Sequence, residues 1–199
     1  MDGTLTLPHQ LDFGRMRAAA GLPEGAHIFE AIQALPTEAR AAAWAAIEAV
    51  ELEAYEHVAL QPGLAEHLAD LRARGLKVGI ATRNNPRAVA ALLRVVGLPE
   101  GTFDPVLTRE DQLPDKPHPA LALAACSAWG VPPEACLMVG DSMDDMRLGR
   151  AAGMSTCLLR PAVDAAEASP PPPLADEVDF AVTTLAELGA MMEDAVRAE

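Results

Sequence analysis

Lysine is nearly absent from this chain. Only Lys77 and Lys116 occur among 199 residues, and the 15 Lys and Arg are outweighed by 29 Asp and Glu, for a formal charge of -14. Proteins that grip nucleic acid do so by neutralising phosphates with cationic side chains, so a nucleic-acid partner is excluded as an expectation. The three cysteines, Cys126, Cys136 and Cys157, contain no CxxC pair and are odd in number. They suggest neither a zinc site nor a disulfide framework. No run approaches the ~20 apolar residues of a membrane span, and the first residues lack the basic-then-apolar pattern of a signal peptide. A cytoplasmic protein acting without a membrane, as a monomer or homodimer, is the default these absences leave.

What the chain does have is a repeated grammar from about residue 62 onward: a helix start, an amphipathic run, a glycine, then a short apolar strand. Pro62-Gly63 opens a helix with Leu64, Leu68 and Leu71 on one face, Gly75 stops it, and 77–81 reads as a strand. Pro86 to Gly97 is the next helix, followed by a strand at 105–107. Helix 117–129 ends at Gly130 and leads to strand 136–140; Ser142 caps a helix ending at Gly153, followed by strand 156–159. Strands apolar on both faces that alternate with helices require a parallel sheet covered on two sides, so the expected fold is α/β, doubly wound. Residues 7–61 are Ala-rich, with helical periodicity over 40–55, and read as a small helical insertion. The Ser169 to Pro173 run is expected to be a stiff exposed loop, and 180–182 a last edge strand before a C-terminal helix over 185–197.

In doubly wound sheets ligands bind beyond the carboxyl ends of the strands, which directs attention to the turns after Ala81, Leu107 and Gly140. The last of these carries Asp141, Ser142, Asp144 and Asp145. Capping a helix accounts for one carboxylate; further carboxylates would repel each other unless a cation offsets them, and magnesium, an oxygen-seeking ion, suits such a turn. Both readings stay open on this segment alone. After Ala81 stand Thr82, Arg83 and Asn84, whose hydroxyl and amides lie at a helix start suited to a phosphate oxygen. Lys116, one of the two lysines, lies in a loop braced by Pro114 and Pro117.

Taken together, Met1-Asp2-Gly3-Thr4-Leu5-Thr6, Thr82, Lys116 and Gly140-Asp141-Ser142 with Asp145 resemble the four motifs of the haloacid dehalogenase (HAD) superfamily, in its phosphoglycolate-phosphatase-like branch. The resemblance implies a Rossmann-like core over 1–6 and 62–199, a small helical cap over 7–61, and a magnesium-dependent phosphatase acting on a small phosphorylated metabolite. It implies Asp2 as general acid/base, Thr82 and Lys116 as phosphoryl holders beside Arg83 and Asn84, and Asp141, Asp145 and the Asp2 carbonyl around the metal. Substrate choice would fall to cap residues such as Arg15, Arg17, His27, Trp44 and His57. The cap contains no lysine for a Schiff base, which disfavours a phosphonatase. The Asp141/Asp145 turn disfavours a metal-free dehalogenase, while a sugar-phosphate mutase and a non-catalytic phosphate binder remain alternatives.

One departure concerns the first motif, which in that family reads Asp-x-Asp-Gly-Thr with the leading Asp as nucleophile. Asp2 is the second of these carboxylates and Met1 holds the x position. The expectation is that the sequence begins at an internal methionine, that the family's central first strand and its Asp precede it, and that the 199-residue chain is inactive.

Overall fold

The computed structural model describes residues 1–99, 101–160 and 176–197; the 169–173 proline run lies outside them. All strand pairs are parallel. β1 (Ile80–Ala81) pairs with β2 (Val106–Leu107), and β3 (Leu137–Gly140) pairs with β4 (Ser155–Leu159), which pairs with β5 (Phe180–Val182). Two small sheets result, one of order β1-β2 and one of order β3-β4-β5.

Side-chain alternation shows why the sheets need cover on both faces. Ile80, with Leu137 and Val139, packs into a cluster with Leu64 and Leu68 of α4 (Leu64–Ala73) and Leu185 and Leu188 of α8 (Leu185–Arg197). Ala81 and Met138 point the other way, toward Leu121 and Cys126 of α6 (Ala120–Trp129) and Leu148 of α7 (Met143–Ala152). The doubly wound α/β arrangement expected from the apolar strands is therefore present.

Between the inner edges of β1 and β3 runs an apolar cavity of ≈ 470 Å³, lined by residues 78–81 on one side and 135–139 on the other, with Met1 and Leu5 at its end. Neither inner edge has a strand partner among the described residues. This explains why the strand expected over 77–81 is regular only at Ile80–Ala81: Ile80 N–H donates to the Pro105 carbonyl at 2.9 Å and Thr82 N–H to that of Leu107 at 2.9 Å, all on one side. The helix expected from Pro117 begins instead at Ala120, because Asp115 to Pro119 forms a turn, with His118 N–H donating to the Asp115 carbonyl at 2.9 Å.

Residues 7–61 fold as three helices, α1 (Phe13–Ala19), α2 (Ile28–Gln33) and α3 (Thr37–Tyr55), with no named strand. Met16, Ile32, Ile47 and Tyr55 bury against Ala88, Ala91 and Leu92 of α5 (Pro86–Val96). Both chain passes into this layer are pinned at one neck. Thr6 and Leu60 form an antiparallel bridge, Leu7 N–H donates to the Ala59 carbonyl, and Gln61 N–H donates to that of Leu5, both at 2.9 Å. No helix is long and apolar enough to cross a membrane among the described residues.

Candidate active site

The carboxyl ends of β1 and β3 and the Met1–Thr6 loop open into a second cavity of ≈ 490 Å³, roofed by α1–α3. All seven sequence-expected site residues, Asp2, Thr82, Arg83, Asn84, Lys116, Asp141 and Asp145, line it. Local sequence positions each. Asn85 caps α5 by accepting from Ala88 N–H at 2.8 Å, with Pro86 as the first helical residue, which stations Thr82 at the end of β1. Ser142 and Asp145 form a reciprocal capping box at the start of α7, with Ser142 Oγ donating to Asp145 Oδ2 at 2.7 Å. Gly140 and Gly3 are obligatory neighbours of this turn. A side chain at Gly140 would run into Asp145, and one at Gly3, whose φ is +73°, would run into the Asp141 carboxylate.

The other oxygen of Asp145 accepts from Lys116 Nζ at 2.6 Å, both side chains being 9% exposed. Burial works to raise the Asp145 pKa, but the Lys116 ammonium and the Ser142 hydroxyl outweigh it and hold the group below the ordinary carboxylate value. Both Asp145 oxygens are thus engaged by protein donors. Asp144 finds its cation too, Arg83 Nη2 at 2.7 Å. The mutual repulsion expected of the three carboxylates is therefore relieved by Lys116 and Arg83 for two of them. Asp141 is left with the Thr4 hydroxyl, donating at 3.1 Å. Burial, with the neighbouring charge of Asp145, pushes its pKa up. A partly enclosed carboxylate with no side-chain cation of its own fits a divalent cation such as magnesium. No three Asp, Glu, His or Cys side chains form a metal cluster among the described residues; the expected set counts a backbone carbonyl as its third member.

Arg83 also lines the cavity, and its guanidinium bridges loops, with Nε donating to Asp115 at 2.9 Å and Nη2 to the Lys116 carbonyl at 2.8 Å and to Asp144. It positions Lys116 against the α7 turn. Asn84 is likewise spent inside the site. Its Nδ2 donates to Asp2 Oδ2 at 2.6 Å and to the Tyr55 hydroxyl at 2.8 Å, while Tyr55 donates to Asp2 Oδ1 at 2.8 Å. Burial and the adjacent Asp2 carboxylate drive the Tyr55 hydroxyl pKa upward, so it stays a donor. Asp2 is held by two neutral donors in one orientation. Of the cap residues named from sequence, Arg17, His27 and Trp44 line the cavity, whereas Arg15 is paired with Glu53 at the exposed surface and His57 is exposed away from it.

Three residues escaped sequence reasoning. Tyr55 is the sole tyrosine of the chain, and that singularity was its only signal. Gln61, 3% exposed, ties the motif loop down by donating to the Gly3 and Thr6 carbonyls at 3.0 and 3.1 Å. Glu51 sits on the α3 stripe formed by Trp44, Ile47 and Tyr55, where a charge at an apolar position could have marked it. It pairs with Arg109 at 3.4 Å, whose guanidinium lies 4.3 Å over the Trp44 ring. Burial raises its pKa to about 7.

Comparison with known proteins meets this geometry. The family model for haloacid dehalogenase-like hydrolases matches residues 7–153. An uncharacterised hydrolase of Saccharomyces cerevisiae is 39% identical over 163 residues, covering 80% of this chain and 74% of that protein. A phosphoglycolate phosphatase of Nitrosococcus oceani is 38% identical over 101 residues, covering 50% of this chain and 44% of the relative. Among solved structures, CbbY of Rhodobacter sphaeroides in complex with phosphate superposes with a TM-score of 0.69 at 23% identity, over 95% of this chain and 93% of that one, a likeness of fold.

Proposed function

The chain belongs to the haloacid dehalogenase-like hydrolase family, and on that premise we propose that it is a magnesium-dependent phosphatase of small phosphorylated metabolites. In this reading 1–6 and 62–199 form the catalytic core and 7–61 the cap. The observation that carries it is the convergence of Thr82, Lys116 and Asp141 from separate strand ends and loops onto one cavity that Asp2 also lines. The similarity to a phosphoglycolate phosphatase over half the chain supports the same reaction class.

The Thr82 hydroxyl and the Lys116 ammonium hold phosphoryl oxygens, and Lys116 offsets the charge that builds at phosphorus. Asp2, fixed by Tyr55 and Asn84, protonates the departing oxygen and then takes a proton from the attacking water. Asp141 and the Asp2 carbonyl would hold magnesium, with Asp145 in support, and the ion would shield phosphate charge. The nucleophile of the family's first motif is the residue directly before the Met1 position. We therefore assign turnover through a phospho-aspartate to an Asp at that position.

The test is hydrolysis of p-nitrophenyl phosphate with magnesium. Residues 1–199 preceded by an apolar strand ending in Asp should turn over, and lose that activity on Asp141→Asn. Turnover by residues 1–199 that vanishes in Asp141→Asn would refute the requirement for that Asp. An extended chain that binds phosphate yet stays inert would favour a non-catalytic phosphate-binding protein.

A further inference from the structure

All three cysteines are free thiols, and the phosphatase reading uses none of them. Two of them meet. Cys126 of α6 and Cys136, directly before β3, lie ten residues apart in the chain, and Cys126 Sγ donates to Cys136 Sγ at 3.6 Å, which donates in turn to the Pro132 carbonyl at 3.7 Å. The connection between them is stiff. Val131 N–H donates to the Cys126 carbonyl at 3.2 Å, Pro132 and Pro133 restrict the turn, and Cys136 N–H donates to the Pro133 carbonyl at 2.9 Å. The two thiols differ in access. Cys126 is buried with Leu121, Ala122 and Leu148, whereas Cys136 is partly exposed and lines the cavity between the two sheets. Burial, with the Cys126 thiol against it, raises the Cys136 pKa, so Cys136 rests as a thiol at neutral pH. Cys157 is buried within β4.

We infer that Cys126 and Cys136 form a reversible dithiol–disulfide switch, oxidised by a low-molecular-weight disulfide, whose closed form ties α6 to the start of β3. The more accessible Cys136, as its thiolate, attacks one sulfur of the oxidant; a mixed disulfide forms and one small thiolate leaves. Cys126 then gives its proton to solvent and attacks Cys136 Sγ, forming the internal bond and expelling the second small thiolate. Two protein thiols have lost two electrons, and the oxidant has been reduced to two thiols. Closing the loop restricts the unfolded chain, and it does so beside β3, a strand paired only with β4 among the described residues. The sulfurs and the candidate active site lie at opposite ends of β3, since Cys136 precedes Leu137 and Asp141 follows Gly140. The switch is therefore independent of the phosphatase reading.

The experiment treats the 199-residue chain with hydroxyethyl disulfide, a neutral oxidant that the formal charge of -14 does not repel, in mildly alkaline buffer, where more of the thiol is ionised. The intact mass should fall by that of two hydrogen atoms, and peptide mapping should join Cys126 to Cys136 and leave Cys157 a free thiol. The thermal midpoint should rise by about 5 °C, and dithiothreitol should reverse both changes. Cys136→Ser should show neither the mass loss nor the rise. An unchanged mass, a stable mixed disulfide without the internal bond, or a bond that involves Cys157 would overturn the pairing. An internal bond between Cys126 and Cys136 that leaves the midpoint where it was, or lowers it, would overturn the switch.

Discussion

Lys116 carries two tasks that chemistry usually separates. In the proposed reaction its ammonium holds a phosphoryl group, and it is also the counter-ion of Asp145, from which it stands 2.6 Å away in a nearly closed environment. Removing one partner of a buried pair leaves the other charged and unsolvated, which costs about 3–5 kcal/mol. Lys116→Ala should therefore lower the unfolding free energy by about that amount in denaturant titrations as well as weaken phosphate binding. The pH dependence has a definite sign. The folded pKa of Asp145 is depressed, so its contribution is complete above the unfolded value of ~3.9 and is lost as pH falls through the lower folded value. Stability curves of the parent and Lys116→Ala should converge on acidification below that window and separate above it; curves that stay parallel into strong acid would contradict the pairing.

The helices of the core were readable because their ends are written in residue types whose effect is local. Asn85-Pro86 begins α5 and Gly97, at φ +69°, ends it; Ser142 begins α7 and Gly153, at φ +87°, ends it. The same locality yields a prediction. Asn85→Ala removes the side-chain acceptor of Ala88 N–H and should destabilise the fold by about 1 kcal/mol, measured as a lowered denaturation midpoint. Polar pairings were illegible for the opposite reason. Arg83 meets Asp115 and Asp144 across 32 and 61 residues of chain, and Tyr55 meets Asp2 across 53. Nothing within a local window distinguishes Arg83 as a loop clamp from Arg83 as a substrate ligand. The cavity-lining residues Thr82, Lys116 and Asp141 were legible because motif spacing and strand-end placement coincide there, whereas Glu51 belongs to a helical layer whose orientation is set by packing on α5.

At the scale of the molecule, the decisive feature is the apolar cavity that separates β1-β2 from β3-β4-β5. Its walls were predicted as strands from their composition, and their shortness follows from pairing on one side only. The ≈ 470 Å³ space is lined mostly by apolar side chains and opens to solvent, so its walls stand in contact with water. Apolar surface of that kind takes up hydrophobic dyes. Anilinonaphthalene sulfonate should therefore fluoresce on the folded 199-residue chain, and Ala125→Leu, which adds methyl groups to the cavity wall from α6, should lower that signal. A folded chain that leaves the dye dark would contradict an accessible apolar cleft. The space between the two sheets is thus something light can report, without reference to phosphate, metal or turnover.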